Sequence, residues 1–186
     1  MKENIAIVAC SNWQFYDMEN IPKEMEVWAL NSMCKVLKRI DLLFDMHDWL
    51  TCEYEIPDYY HFLKKKKNKY KIVKSVKDDN LKNVILYPIN EIMNVYGRNL
   101  KNSVPEMILY AWYLNHYKKG KIKNVFLYGI SNDEFVKYPE MGFSFFQAIG
   151  FVRGRGINVF LINETLMEDD YDIYGYFKLT EKKKKI

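Results

Sequence analysis

The sequence predicts a single α/β domain, built on a doubly wound and mostly parallel sheet of about six strands with helices on both faces. Short, continuous apolar runs recur along the chain, which is typical of strands buried on both faces of a sheet. Segments with helical spacing of apolar residues separate several of these runs. The length of 186 residues favours one domain. Together these observations predict a Rossmann-like architecture.

Six apolar runs are predicted as strands, and Pro88 ends the fourth of them because proline cannot donate to a strand ladder. The six runs cover residues 5–9, 26–30, 42–45, 84–87, 125–128 and 159–162. A weaker seventh candidate covers residues 70–73.

Two helices are predicted between the strands, and a third on the surface. The first begins at Ser103, which has the spacing of a capping box with Glu106, and it ends at Lys118-Lys119-Gly120. The second covers residues 138–152, and its apolar face is formed by Phe145, Phe146, Ile149 and Val152. Residues 59–67 are predicted as a surface helix.

Composition limits the classes of function. The net charge is +4, but two lysine runs, residues 64–67 and 182–185, hold eight of the 28 basic residues, and the rest of the chain carries −4. These runs lack interleaved aromatic residues, so nucleic acid is not the expected partner. We expect one domain over residues 1–177 and a disordered basic tail over residues 178–186.

Cysteine spacing and hydropathy indicate a cytoplasmic protein. The three cysteines are odd in number and lack CxxC spacing, so neither a disulfide scaffold nor a structural zinc site is predicted. No apolar stretch approaches the ~20 residues of a membrane helix, and none suits a signal peptide. No cofactor and no metal are predicted.

Small polar residues follow the predicted strands, at the edge where parallel sheets bind their ligands. Such residues suit hydrogen bonds to phosphates, ribose hydroxyls and base edges. A helix that starts with Ser103 adds N–H groups for an anion. The candidate ligand-binding residues are Ser11, Asn12, Asn31, Ser103, Gly129, Ser131 and Asn132.

Asp45 and His47 stand two residues apart after the third strand, and two interpretations remain open. In the first they are an acid/base pair, with His47 as the best general base and Glu140 as a second candidate. In the second, an aspartate caps the next element and the histidine is satisfied locally. A metal site would need further ligands, and none stands at a fixed spacing.

A set of short motifs resembles a known group of proteins. They are Glu26-Val27-Trp28-Ala29-Leu30-Asn31, Leu43-Phe44-Asp45-Met46-His47, Asn102-Ser103, Val125-Phe126-Leu127-Tyr128-Gly129-Ile130 and Gly154-Arg155-Gly156-Ile157-Asn158-Val159. The chain resembles small Rossmann-like proteins of bacteriophages, mostly of unassigned function. It is more distantly similar to the sialyltransferases of glycosyltransferase family 42 and to pterin pyrophosphokinase-like proteins. The resemblance spans most of residues 5–165.

The resemblance implies a nucleotide site and also shows departures from the sialyltransferase pattern. In those enzymes a glycine-rich turn and an asparagine hold the cytidine nucleotide donor, and Asn31 and Ser103 match the asparagine and the helix start. Ala9-Cys10-Ser11 replaces the glycines, and Gly129-Ile130-Ser131 lacks the usual aspartate. The chain is also too short after the fifth strand for the lid that supplies the catalytic histidine and tyrosine. Sialyl transfer is therefore not expected.

Three hypotheses of function follow. The first is a phage-type protein that binds a nucleotide or nucleotide-sugar and sequesters a signalling nucleotide or metabolite in the host cytoplasm. The second is a glycosyltransferase-like enzyme that acts on such a ligand. The third is an interaction protein whose tyrosines and tryptophans form a homo-oligomer interface. The departures from the sialyltransferase pattern favour binding over catalysis.

Overall fold

A computed structural model describes residues 2–10, 20–66, 69–130, 135 and 137–162 of the chain. The basic tail at residues 178–186 lies outside the described residues, as does the end of the predicted domain after residue 162.

The described residues form one seven-stranded sheet in which every neighbouring pair is parallel. The strands are β1 (Asn4–Val8), β2 (Glu26–Leu30), β3 (Leu42–Phe44), β4 (Ile72–Lys74), β5 (Val84–Leu86), β6 (Asn124–Tyr128) and β7 (Asn158–Leu161). Their order across the sheet is β5-β4-β3-β2-β1-β6-β7. The predicted Rossmann-like class is confirmed, with seven strands instead of about six, because the weak candidate at residues 70–73 corresponds to β4.

Five α-helices and one 3-10 turn are described around this sheet. They are the 3-10 turn (Asn31–Lys35), α1 (Trp49–Tyr54), α2 (Pro57–Lys65), α3 (Ile89–Tyr96), α4 (Ser103–Lys118) and α5 (Pro139–Arg153). The sequence predicted α2, α4 and α5. It did not predict α1 or α3, because six and eight residues give too few turns for a helical period to be recognised.

Alternating residues of β1 face two separate apolar cores. Ile5 and Ile7 pack on one face with the buried sides of α3, α4 and α5. Ala6 and Val8 pack on the other face with the 3-10 turn, α1 and α2. Each fully buried isoleucine stabilises the fold by about 1.5–3 kcal/mol. Helical segments thus cover both faces of the sheet, as predicted.

The cap of α4 differs from the predicted capping box. Asn102 is the N-cap residue, and its side-chain oxygen accepts a hydrogen bond from the Val104 N–H at 3.1 Å. Pro105 then occupies the third helical position, where a capping box needs a glutamate. Glu106 comes one residue too late to complete it.

Three further details of the helices differ from the sequence interpretation. Phe146 is 52% exposed, whereas Phe145, Ile149 and Val152 are buried in the core. The left-handed residue after α4 is Lys119, at φ 55°, and Gly120 follows it. The predicted surface helix is α2, which buries Tyr59, Tyr60 and Leu63. No helix in the described part of the chain has the length and apolar character to cross a membrane.

Glu106, in the first turn of α4, makes the stability of the fold depend on pH. Burial raises the pKa of its carboxyl group from 4.5 to about 7. The folded protein therefore keeps a proton that the unfolded chain releases above about pH 4.5. The stabilisation is present at low pH and is lost as the pH rises through about 7.

We expect Glu106→Gln to remove this dependence. At pH 8 the variant should exceed the wild type in free energy of unfolding, by at most about 3 kcal/mol because Glu106 is partly exposed. At pH 4, below the pKa of the unfolded chain, the two should be nearly equal. Urea unfolding at both pH values measures the difference, with Glu91→Gln in the first turn of α3 as the matched control. An equal pH slope in wild type and Glu106→Gln would contradict the prediction.

Candidate functional site

The strand order reverses at β1, and this reversal creates a crevice. From β1 the chain adds β2, β3, β4 and β5 to one side of the sheet and then returns to place β6 on the other side. In open α/β sheets, ligands bind beyond the carboxyl ends of the strands at such a point. A cavity of about 440 Å³ lies there, bordered by the strand-end residues Ala9, Cys10, Leu30, Gly129 and Ile130.

One side of the crevice is formed by the start of α4. Asn102, Ser103 and Val104 line it, so the positive end of the dipole of a 16-residue helix is directed at the cavity. The Ser103 hydroxyl has no hydrogen-bond partner within the described ranges. Gly129 completes the edge with φ 68°, a left-handed conformation that glycine adopts without strain.

A second part of the crevice lining is aromatic. Phe135, Tyr138, Met141 and Phe145 line it, and the rings of Phe135 and Phe145 lie 5.0 Å apart. Lys137 lies at the same wall, with its ammonium group 5.2 Å from the centre of the Tyr138 ring. The cavity therefore combines an anion-attracting edge, an aromatic wall and one cation.

The structure places the sequence-predicted ligand residues in three different situations. Ser103 and Gly129 line the crevice. Asn31 follows β2 with φ 43°, and its buried Oδ1 has no hydrogen-bond partner among the described residues, but it is not part of the lining. Ser11, Asn12, Ser131 and Asn132 lie outside the described residues. Glu140 is exposed in the first turn of α5 and does not line the cavity.

Asp45 and His47 form a contact at the carboxyl end of β3. His47 Nδ1 lies 2.8 Å from Asp45 Oδ1, and the His47 side chain is 36% exposed while that of Asp45 is fully buried. The aspartate that caps the next element is a different one, Asp48, which accepts a hydrogen bond from the Thr51 N–H at the start of α1. Asp45 thus contacts the histidine and Asp48 caps the helix.

Lys74, the last residue of β4, completes this group. Its Nζ donates to Asp45 Oδ2 at 2.8 Å, and both side chains are fully buried. Burial opposes ionisation of Asp45, but hydrogen bonds from His47 and Lys74 and the charge of Lys74 outweigh it and lower the pKa of the carboxyl group. The hydrogen bond to Asp45 raises the pKa of His47, against burial and the Lys74 charge, which lower it.

Cys52 Sγ lies 3.5 Å from Asp45 Oδ2, so Asp45, His47 and Cys52 offer three metal-ligand atoms within 4.8 Å of one another. The Lys74 ammonium group already occupies the cation position, 2.8 Å from Asp45 Oδ2 and 3.9 Å from Cys52 Sγ. Burial raises the pKa of the Cys52 thiol to about 12, which disfavours the thiolate that a metal needs. The residues present fit a lysine-neutralised carboxylate better than a metal centre.

Sequence reasoning missed the residues that long-range packing brings to these places. Lys74 follows the apolar pair Ile72-Val73, and a lysine at the end of a buried run was the available signal. The aromatic lining residues Phe135, Tyr138 and Phe145 gave no signal beyond their composition.

No family model matches the chain, and no curated protein or solved structure is similar enough to it to indicate a relationship. The function is therefore inferred from the geometry of the crevice and of the neighbouring charged group.

Asn31 allows the backbone and the side chain of one candidate residue to be tested separately. Asn31→Gly keeps φ 43° accessible and removes the unpartnered Oδ1, whereas Asn31→Ala removes the amide and adds left-handed strain of about 1–2 kcal/mol. We expect the alanine variant to be less stable than the glycine variant by about that amount. Urea unfolding of the two variants and the wild type tests this, and equal stability would show that the left-handed conformation imposes no constraint.

Proposed function

We propose that the protein binds a nucleotide or nucleotide-sugar in the crevice between β1 and β6. The observation that carries the proposal is the cavity of about 440 Å³ at the carboxyl ends of these two strands, where the strand order reverses. Its volume falls within the ~300–1,000 Å³ of small-molecule sites.

The lining of the crevice contains groups that suit both halves of such a ligand. The N-terminal N–H groups of α4, the Ser103 hydroxyl and Lys137 suit a phosphate, because helix dipoles and cations both favour an anion. Phe135 and Tyr138 suit a base, because every nucleobase offers a π face for stacking. A ligand with only one of these halves would leave part of the lining without a matching group.

In its simplest form the protein holds the nucleotide without turnover and so sequesters a signalling nucleotide or metabolite. This form agrees with the resemblance of the sequence to phage proteins. The second candidate function is a transferase acting on the same ligand, and one observation favours it. The contact between Asp45 and His47 lies at the end of β3, one strand beyond β2, whose terminal residue Leu30 lines the crevice.

Cys10 provides a direct test of occupancy. It is exposed at the crevice, whereas Cys34 and Cys52 are buried and burial raises the pKa of each to about 12. Iodoacetamide should therefore modify Cys10 selectively in the folded protein. We expect a bound nucleotide to slow this modification, measured by intact mass with a panel of nucleoside mono-, di- and triphosphates and nucleotide-sugars, with Cys10→Ser as the control for selectivity.

Calorimetric titration with the protecting nucleotide then measures affinity. Lys137→Met should weaken binding by about fivefold, or about 1 kcal/mol, because it removes the cation at the crevice. Lys121→Met is the matched control, since Lys121 lies before β6 at the opposite edge of the sheet. If no nucleotide slows modification of Cys10, or if both lysine variants bind like the wild type, the proposed site is wrong.

A further inference from the structure

We propose that His47, Asp45 and Lys74 form a proton-transfer centre in which His47 Nε2 accepts the proton of a hydroxyl group or water molecule that attacks the ligand of the crevice. The substrate class is an alcohol or water nucleophile. The inference depends on the proposed function for the identity and the position of the electrophile, and on the geometry of these three residues for the base.

The contact with Asp45 determines which imidazole nitrogen is the base. An ionised carboxylate only accepts hydrogen bonds, so the 2.8 Å contact requires a proton on His47 Nδ1. In the neutral ring the lone pair is then on Nε2. The His47 side chain is 36% exposed, and no described residue hydrogen-bonds to Nε2. Asp45 thus fixes Nε2 as the atom of a partly exposed ring that can act as a base.

Lys74 opposes the effect of the buried carboxylate on His47, whose pKa still lies above its usual value because of the hydrogen bond to Asp45. With no other cation nearby, a buried aspartate would keep the neighbouring imidazole in its charged form. The Lys74 ammonium group neutralises Asp45 from the opposite side, at Oδ2, and its charge lowers the pKa of His47. Lys74 is therefore a positioning residue that limits the rise in the pKa of His47, so that the neutral ring is available at a lower pH than it would be beside Asp45 alone.

The remaining groups around the centre do not replace Lys74. Glu55, directly after α1, raises the pKa of His47, which opposes the effect of the lysine. The Cys52 thiol of α1 and the Tyr59 hydroxyl of α2 lie near Asp45, and burial raises the pKa of both, so both are neutral. Asp48 is engaged by the Thr51 N–H. The balance at His47 thus depends mainly on Asp45 and Lys74.

Proton transfer to His47 is coupled to the formation of one bond and the breaking of another at the nucleotide-sugar. The hydroxyl proton moves to His47 Nε2, and the electron pair of the O–H bond forms a new bond to the electrophilic phosphorus or sugar carbon of the nucleotide-sugar. The bond from that atom to the leaving phosphate oxygen breaks and its electron pair leaves with the oxygen. The imidazolium ion, stabilised by Asp45, returns its proton to the leaving oxygen or to water.

Proton NMR titration tests the electrostatic part without any ligand. The chain has three histidines, so His47→Gln assigns the His47 resonance directly. We expect Lys74→Met to raise the pKa of His47. The double variant Asp45→Asn/Lys74→Met should lower the pKa of His47 below the wild-type value. It leaves no unpaired buried charge, so it also serves as the test if the single variant does not fold. An unchanged His47 titration in the variants would overturn the inference.

Diethyl pyrocarbonate tests whether Nε2 is accessible and neutral. It reacts with uncharged imidazole, so at pH 7 His47 should react faster in the wild type than in Lys74→Met, with exposed His61 as the internal reference. Failure of His47 to react while His61 reacts would overturn the inference.

Turnover separates this inference from the proposed function. With the nucleotide-sugar that best protects Cys10, phosphorus NMR should detect its cleavage by water or glycerol, and His47→Gln should abolish cleavage while leaving protection of Cys10 intact. Protection without cleavage in the wild type would overturn the proton-transfer role and leave the binding site. If the His47 titrations give the expected pKa changes but no nucleotide protects Cys10 from iodoacetamide, the proposed function is overturned instead.

Discussion

The pairing of β1 with β2 on one side and β6 on the other is the constraint on which the rest of the structure depends. Ile5, Ala6, Ile7 and Val8 are all fully buried, so β1 can only lie in the centre of the sheet with a core on each face. Because later strands extend the sheet in both directions from β1, the connections diverge at its carboxyl end. The crevice is therefore a consequence of apolar burial and strand order. The polar residues around it line the crevice but are not needed to form it.

The buried pair of Asp45 and Lys74 adds a second constraint, and its stability is of a different kind. Two fully buried opposite charges 2.8 Å apart recover the cost of leaving water only when their geometry is good, and such pairs contribute little net stability compared with apolar residues of similar size. Removing one partner is much more costly, by about 3–5 kcal/mol. Because this pair contributes little to folding and contacts the partly exposed His47, its effect on the orientation and the pKa of that histidine explains it better than stability does.

The sequence was most informative where a local pattern and the tertiary environment agree. Residues 26–30 were predicted as a strand with the bounds that the structure has, because a run buried on both faces is apolar throughout. The rule that ligands gather at the carboxyl ends of strands selected Gly129, and the start of a helix selected Ser103; both residues line the crevice. Lys74 could not be found this way, because its partner lies 29 residues earlier in the chain and a terminal lysine is usually solvated. The cap of α4 lies one residue earlier than predicted, at Asn102, because an asparagine caps a helix as well as a serine does and its side chain accepts from the Val104 N–H.

The position of β6 also has a consequence for how the protein is made. Asn4 and Asn124, paired across β1 and β6, are 120 residues apart, and β6 follows all four strands on the other side of β1. Contacts of such long sequence separation form slowly, because the intervening chain must be closed first. On the ribosome, where the amino-terminal part folds first, β1 to β5 can associate before β6 has been synthesised, so one edge of β1 is still unpaired. β6 and the aromatic lining residues both lie after residue 123 in the chain. A nascent polypeptide that ends before residue 124 therefore has five of the seven described strands but lacks the residues that complete the crevice.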